Sequence, residues 1–586
     1  MVRTYFKVAI AAIAAFAFAS CNPEEVDNVQ VNGETELVFT QEDTADKTVT
    51  FSANTNWTVS YEAPWLEVTP TSGVAGEEIV LTVSLKETEA PVKRADKVVI
   101  TAGTAMAEVS VIQEATVYAE NFEVNGNHRV VAGYTTTLSV VAVPAGSKME
   151  TPTFESSDAS VVTVDANGVV TAVAVGEAVV TVTVGGLAEE YWMEVTETFV
   201  TDGLGRTYTF ADLAAIEYSG VEYTEGVYAV TADIMVSEND VIALGDAKHV
   251  IFNDAVRLGV EGMVDFVATE QISFAAASEA IPDPIYFTGD VEGAGSFKNI
   301  VFNGVTMRYF GAADLTVEDC VFTGVVDTEP CISLGGDGLV TVSNCDFTEN
   351  AYPAINGAAN IVTPLIFQDN YLYKNSLSAK NKPQINVTVG GERGVKILRN
   401  VVIGPKEVTT NGGIAVSNMM NLAGEHEVEI SENEVSNNRY GITLYGAMNA
   451  VINDNILMNN NYESNPMSGG SGLSFYGIGV QNVYVSGNHI EGHYWGITNI
   501  KYSTNPNLNL GNLTEGDDYN PGGNVFVNNG NGGVLYDLYN NSTADVMAQG
   551  NTWNVEVQDE ESIEGVIFHK VDNDALGLVT FMPAAE

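Results

Sequence analysis

"VTVSNCDFTEN" (residues 340–350) and "VEISENEVSNN" (residues 428–438) follow one plan: a short alternating strand, a cysteine or asparagine, then a second apolar stretch. The plan returns in "LIFQDNYLYKN", "VKILRNVVIG", "AVINDNILMNN" and "VYVSGNHIEGH", and again in "GGNVFVNNG" and "AQGNTWN". Alignment places Cys345, Asn370, Asn400, Asn433, Asn455, Asn488, Asn524 and Asn551 in one column, 22 to 36 residues apart, with Cys320 of "LTVEDCVFTG" in phase before them. Period-two alternation marks half-buried strands. A unit that recurs once per coil marks a solenoid. Asparagine at each bend has a physical reason, because a buried amide needs partners and can bond the coil above and the coil below. The pattern predicts a right-handed parallel β-helix over residues 200–586.

Its two ends carry helix signals. "QDEESIEGVIFHK" has acids at its start and puts Ile563, Val566 and Ile567 on one face, which predicts a short amphipathic helix capping the C-terminal end. "GRTYTFADLAAI" is suited to cap the other end. Between them the coils near residues 205–300 are less regular.

Upstream the punctuation changes. "ELVFT", "KTVTFSA", "WTVSYEA", "EIVLTVSL", "KVVITAG" and "AEVSVIQE" are short alternating runs separated by turn residues, the pattern of a β-sandwich. "NWTVSYEAPWLEVTPTSGVAGEEIVLTVS" with "KRADKVVITAG" and "VSVIQEA" resembles a BACON domain over residues 35–116. The matching positions are Trp57, Trp65, Gly73, Gly76, Arg94 and Gln113. That resemblance implies either carbohydrate association or a spacer role, and the large apolar area of tryptophan places Trp57 and Trp65 in the core. "VAGYTTTLSVVAVPAG" and "FESSDASVVTVDANGVVTAVAVGEAVVTV" resemble a bacterial immunoglobulin-like domain of group 2, over residues 118–198. Gly133, Pro144, Ser156, Ser157, Asp158, Asp165, Gly168 and Gly176 carry the match, and the resemblance implies a stalk or adhesive module. The fold class is therefore all-β, with two sandwiches ahead of a β-helix.

The first 21 residues, "MVRTYFKVAIAAIAAFAFASC", set Arg3 and Lys7 before an apolar run too short for a membrane span, then small residues before a cysteine. "FASC" resembles a bacterial lipoprotein signal, with Phe18 where leucine is commoner, and implies lipidation at Cys21. Residues 22–34 read as a tether. The acidic "NPEEVDN" resembles the export signal of surface lipoproteins of Gram-negative gut bacteria. The expected location is the outer membrane, facing outward, with the lipid as the only membrane contact.

Composition narrows the partners. With 77 acidic and 24 basic residues the net charge is −53, a field that repels nucleic acid and disfavours acidic polysaccharides unless a cation or local basic cleft intervenes. Apart from Cys21 only Cys320, Cys331 and Cys345 remain, without CxxC or Cys/His metal spacing, so no structural metal is expected. Asp517 and Asp518 of "EGDDYN" offer hard oxygens for calcium, against the plainer reading of a solvated loop.

A β-helix serves both enzymes and adhesive rods, so the fold does not choose. "EGHYWGI" and "GVKILRN" lack the hydrolase strings they come nearest to, and no carboxylate pair recurs at coil spacing. A lyase needs a basic residue and a charge clamp. Arg439 is the catalytic candidate, with Arg393, Lys396, Arg399 and Lys501 as lesser ones and Asp454 as a nearby acid. Arg399 and Asp454 directly precede ladder asparagines, where charged residues serve as solvated bends. The richer signal is aromatic: Tyr445, Tyr476, His493, Tyr494 and Tyr502 fall on successive coils, beside the insertions "NNNYESNPMSGGSG" and "YSTNPNLNLGNLTEGDDYNPGG". Insertions in solenoids tend to wall a groove, and exposed rings there would stack on sugars. Strand alternation sends Tyr440 and Trp495 inward and Tyr445 and Tyr494 outward. The leading expectation is non-catalytic binding of a polysaccharide or host or microbial glycan, or adhesion. A polysaccharide lyase and a purely structural rod are the alternatives.

Overall fold

A computed structural model describes residues 26–278, 285–288, 294–326, 329–378, 381–477, 481–500 and 506–585. The expected lipoprotein signal through Cys21, with Lys501 and Tyr502, lies outside the described residues.

The first sandwich pairs a four-stranded sheet with a five-stranded one. Trp57 and Trp65 are buried in its core, and Trp57 Nε1 donates to the Val74 carbonyl at 3.0 Å. Gly73 lies against the Trp57 ring, where a Cβ would stand 2.4 Å from the indole, which accounts for a glycine there. Part of the segment expected to be a tether is structured: Val29–Val31 pairs antiparallel with Phe51 to Ala53 and extends the four-stranded sheet. The second sandwich closes over Phe122, Val180, Met193 and their neighbours. Gly168 turns between two strands at φ 78°, a conformation that favours glycine. Arg129 links this sandwich to the solenoid, pairing with Glu194 at 2.7 Å and donating to the Thr201 carbonyl at 2.8 Å.

The solenoid presents parallel strands on three faces. One face is a 14-stranded sheet, counted over the described residues, that runs from Phe199–Val200 to Ile567–Phe568. The other two faces belong to one folded sheet to which each regular coil gives two strands, as Val340–Ser343 and Asp346–Thr348 do around Cys345. The fold line is the ladder read from sequence. Asn433 Oδ1 accepts from the Asn400 backbone N–H and from Asn400 Nδ2, both at 2.9 Å, while Asn433 Nδ2 donates to Asn455 Oδ1 at 2.9 Å and to the Ile397 carbonyl at 2.8 Å. The same bonds recur from Asn370 to Asn551. The residue before each ladder position is left-handed: Asp369 at φ 58°, Arg399 at 54°, Glu432 at 59°, Asp454 at 57°. Arg399 and Asp454 are thus bend residues, and Arg399 is held by both oxygens of Asp369 at 2.7 and 2.8 Å.

A second ladder, absent from the sequence reading, lines the next bend. Asn350, Asn375, Asn438, Asn460 and Asn529 each follow a first-ladder residue by five positions, and His493 follows Asn488 likewise. In the coil of Asn400 that place holds Pro405, which has no amide to offer. Gln384 reaches across instead, accepting from Asn375 Nδ2 at 3.2 Å and donating to Asn438 Oδ1 at 3.0 Å.

The interior is apolar, with Phe302, Phe322 and Phe347 stacked at 4.6 and 4.8 Å between centroids. Both caps form, each shorter than its sequence signal. Phe210–Ala214 is closed by a Thr209/Asp212 capping box, and Phe210 packs on Phe266 and Phe274. Glu560–Glu564 buries Ile563, while Val566 and Ile567 are buried beyond the helix, Ile567–Phe568 forming the last strand of the 14-stranded sheet.

Candidate functional site: a cleft on the 14-stranded face

The strands Ile442–Tyr445 and Ser471–Tyr476 send Ile442, Leu444, Leu473 and Phe475 into the core. Thr443, Tyr445, Ser474 and Tyr476 consequently face outward, as alternation predicts for Tyr445. Over these residues lies a cleft of about 390 Å3. It extends from Asn386 on the strand Ile385–Thr388 to Tyr539 on Leu538–Asn540, five strand steps, or roughly 24 Å at ~4.8 Å per step.

Its floor is made of paired hydroxyls and amides. Thr443 Oγ1 and Ser474 Oγ are 2.7 Å apart, as are Ser471 Oγ and Thr498 Oγ1, and Asn386 Nδ2 donates to Asn356 Oδ1 at 2.7 Å. Aromatic rings stand above it. Tyr445 and Tyr476 meet edge-on at 4.9 Å, and Trp495 rests against Tyr536 at 4.8 Å and Tyr539 at 4.7 Å. Met419 and Met467, 61% and 84% exposed, form an apolar rim. Burial raises the Tyr440 and Tyr476 phenols while the charge of Arg439 opposes it, so both stay protonated hydroxyls at neutral pH.

One wall is the insertion after Asn460, as the sequence reading expected. Asn465 fixes its tip by accepting from Met467 N at 3.1 Å and donating to Ser468 Oγ at 3.0 Å. Trp495 Nε1 donates to the Pro466 carbonyl at 2.8 Å. Arg439 donates through Nε to the Ser468 carbonyl at 2.6 Å, through Nη2 to the same oxygen, and through Nη1 to Asn381 Oδ1. The longer insertion does not reach the cleft where it is described: Pro506–Asn509 joins the folded sheet, and Asp518 Oδ1 accepts from Tyr484 at 3.1 Å. Asp517 and Asp518 belong to no cluster of three or more metal-ligating side chains among the described residues.

Several expectations need correction. Tyr440 and Trp495 line the cleft and do not point inward. Each stands one residue before a buried glycine, Gly441 or Gly496, and inward-facing alternation begins only at Ile442 and Ile497. His493 is not a groove residue. It is buried in the second ladder, between Asn460 Nδ2 at 3.2 Å from Nε2 and Asn529 Oδ1 at 3.2 Å from Nδ1. Burial depresses its pKa to about 4, so at neutral pH it is an uncharged rung. Tyr494 lies outside the cleft lining, packed on Gly470, while Gly469 packs on Arg439. The two glycines let the loop pass between these side chains. Of the lesser basic candidates, Arg393 pairs with Asp314 at 3.2 Å and Lys396 with Glu429 at 3.3 Å, and neither lines the cleft.

Three family models match the chain in order: a viral BACON domain over residues 30–116, a group 2 bacterial Ig-like domain over 119–195, and a right handed beta helix region over 303–514. Their order agrees with the two sandwiches and the solenoid of the structure. The cleft lies almost wholly in the span of the β-helix match, with Tyr539 and Asn541 just beyond it. No curated protein matches the chain. Among solved structures, a Bacteroides ovatus GH5 xyloglucanase in complex with a XXXG heptasaccharide aligns at 17% identity over 18% of this chain and 21% of its own, with a TM-score of 0.14. The S-layer protein SbsC aligns at 14% identity over 30% of this chain and 28% of its own, with a TM-score of 0.20. The chain thus spans about a fifth to a quarter of these proteins, and likeness this slight is silent on function.

Proposed function

We propose that this protein is a non-catalytic glycan-binding or adhesive protein of the bacterial surface, and that the cleft on the 14-stranded face is its binding site. The observation that carries the reading is the lining itself: paired hydroxyls on the floor, half-buried aromatic rings above, and no carboxylate among the described lining residues. Rings supply flat apolar faces for sugar C–H surfaces, and fixed hydroxyls and amides match polyol donors and acceptors. In a chain of net charge −53, a stretch free of acids is a local exception that suits an uncharged polyol. Arg439, read from sequence as a catalytic candidate, has three N–H groups engaged with Ser468 and Asn381 and serves first to hold the loop. Lipidation at Cys21 and display on the outer membrane belong to the same proposal, with the two sandwiches as the stalk.

The test is retention on a glycan array by the full chain and by Tyr445→Ala and Tyr476→Ala. The reading expects defined oligosaccharides to be retained and then lost on either substitution. Uniform failure to retain any glycan would leave a structural rod, and release of unsaturated products from uronic-acid polysaccharides would establish a lyase. Cys21→Ser is expected to abolish incorporation of labelled fatty acid, and unchanged labelling would refute the anchor.

A further inference from the structure

Most arginines among the described residues are neutralised by a carboxylate. Arg94, Arg129, Arg206, Arg308, Arg393 and Arg399 each face a carboxylate oxygen within 3.2 Å. Arg439 differs: among the described residues it forms no ion pair, and its partners, the Ser468 carbonyl and the Asn381 amide oxygen, are uncharged. It is also the sole charged residue among the described lining of the cleft. A half-buried cation with only neutral partners has lost hydration without gaining a counter-charge, an arrangement typical of binding sites. A guanidinium has five N–H groups, and three are engaged here, so two are left for an incoming oxygen. Beyond Arg439 the cleft offers hydroxyls and rings with no second cation, and the field of the whole chain repels a polyanion.

We infer that the Arg439 end of the cleft takes one isolated anionic group, a carboxylate or a sulfate, carried on an otherwise neutral glycan. This rests on the glycan reading of the cleft and adds to it a charge requirement at one subsite. The guanidinium then has two tasks, holding Ser468 through Nε and Nη2 and presenting its remaining N–H groups to the ligand.

The experiment measures affinities of the full chain for four probes: a neutral lactosamine tetrasaccharide, the same sugar with one terminal sialic acid, the same sugar with one sulfate ester, and polygalacturonate. At least one singly charged form is expected to bind about tenfold more tightly than the neutral parent, the scale of one charge-assisted contact. Which form gains distinguishes carboxylate from sulfate. Arg439→Gln keeps an N–H donor for the Ser468 carbonyl without the charge, and should bring the ratio of charged to neutral binding to about one. Should Gln loosen the loop, Arg439→Lys separates the causes: preference kept in Lys and lost in Gln supports the inference, whereas equal loss in both overturns it. Equal affinity for neutral and charged probes, with Tyr476→Ala still abolishing both, removes the charge requirement and leaves glycan binding intact. Tightest binding to polygalacturonate, or a preference that survives Arg439→Gln, also overturns it. Binding of no probe here and none on the wider array removes both readings together.

Discussion

Asn433→Ala tests the ladder where its bonding is fully visible. Asn433 is completely buried; its Oδ1 accepts from Asn400 N and Asn400 Nδ2, and its Nδ2 donates to Asn455 Oδ1 and to the carbonyls of Ile397 and Ser431. Some partners survive the loss. Asn400 Nδ2 keeps the Phe367 carbonyl at 2.9 Å, and Asn455 Oδ1 keeps the Asn433 backbone N–H at 2.9 Å. The Asn400 backbone N–H is left without an acceptor in a buried bend. An orphaned buried donor costs ~1–3 kcal/mol, and the small cavity left by the amide adds to it, so about 2–4 kcal/mol is expected in all. Calorimetry of the full chain should show the β-helix transition lowered by several degrees, with the sandwich transitions unmoved. Asn449→Ala, which removes a half-exposed amide that donates to Glu427 Oε1 and accepts from Asn482 Nδ2 across the outer face, leaves no fully buried group without a partner and should cost less than about 1 kcal/mol. Equal effects of the two substitutions would refute the claim that buried amides organise the coils.

Phe322 stacks between Phe302 and Phe347, so Phe322→Ala should cost about 3–5 kcal/mol, read in the same calorimetric transition. Trp495→Phe keeps a ring against Tyr536 and Tyr539 but removes the donor to Pro466; exchange of the Met467 and Ser468 amides should quicken about fivefold, a loss of ~1 kcal/mol, while global melting holds. The second ladder makes a pH prediction. Burial lowers His493 to about 4 from 6.5, so the unfolded chain protonates first and this contribution, full above pH 6.5, is lost as pH falls toward 4. Burial raises Asp537, which accepts from Asn529 Nδ2 at 3.3 Å, from 3.8 to about 7. Its contribution is full below pH 3.8 and is lost as pH rises toward 7. The two slopes, each up to ~1.4 kcal/mol per pH unit, oppose between pH 4 and 6.5. Asp537→Asn should therefore unmask a stability that rises with pH across that window, and an unchanged profile would count against both assignments.

The sequence disclosed whatever repeats in a fixed context. The first ladder was legible because a cysteine or asparagine always sits between the same two short strands, and the sandwiches were legible because their turns and tryptophans are spaced like those of known domains. The second ladder escaped because its rungs change identity, from asparagine to glutamine to histidine, although the five-residue offset from the first ladder was there to be found. His493 sits among aromatics like a groove residue, yet its spacing makes it a rung. Simple alternation fails at Tyr440 and Trp495 because Gly441 and Gly496 precede the point where the inward-facing strand residues begin. The closing of the loop by Arg439, Trp495 and Asn381 depends on residues up to 58 apart, and no local pattern encodes it.

The central claim is that glycan enters the cleft on the 14-stranded face, and Trp495 is placed to report it. Trp57, Trp65 and Trp553 are buried and Trp192 lies in the second sandwich, so a difference signal between the wild-type chain and Trp495→Phe isolates the indole at the cleft. Titration with an oligosaccharide retained on the array should change that signal saturably, with a midpoint equal to the Kd measured independently, and Tyr476→Ala should abolish the change. Tight binding of the same oligosaccharide with no change at Trp495 would place the site elsewhere on the molecule and contradict the account.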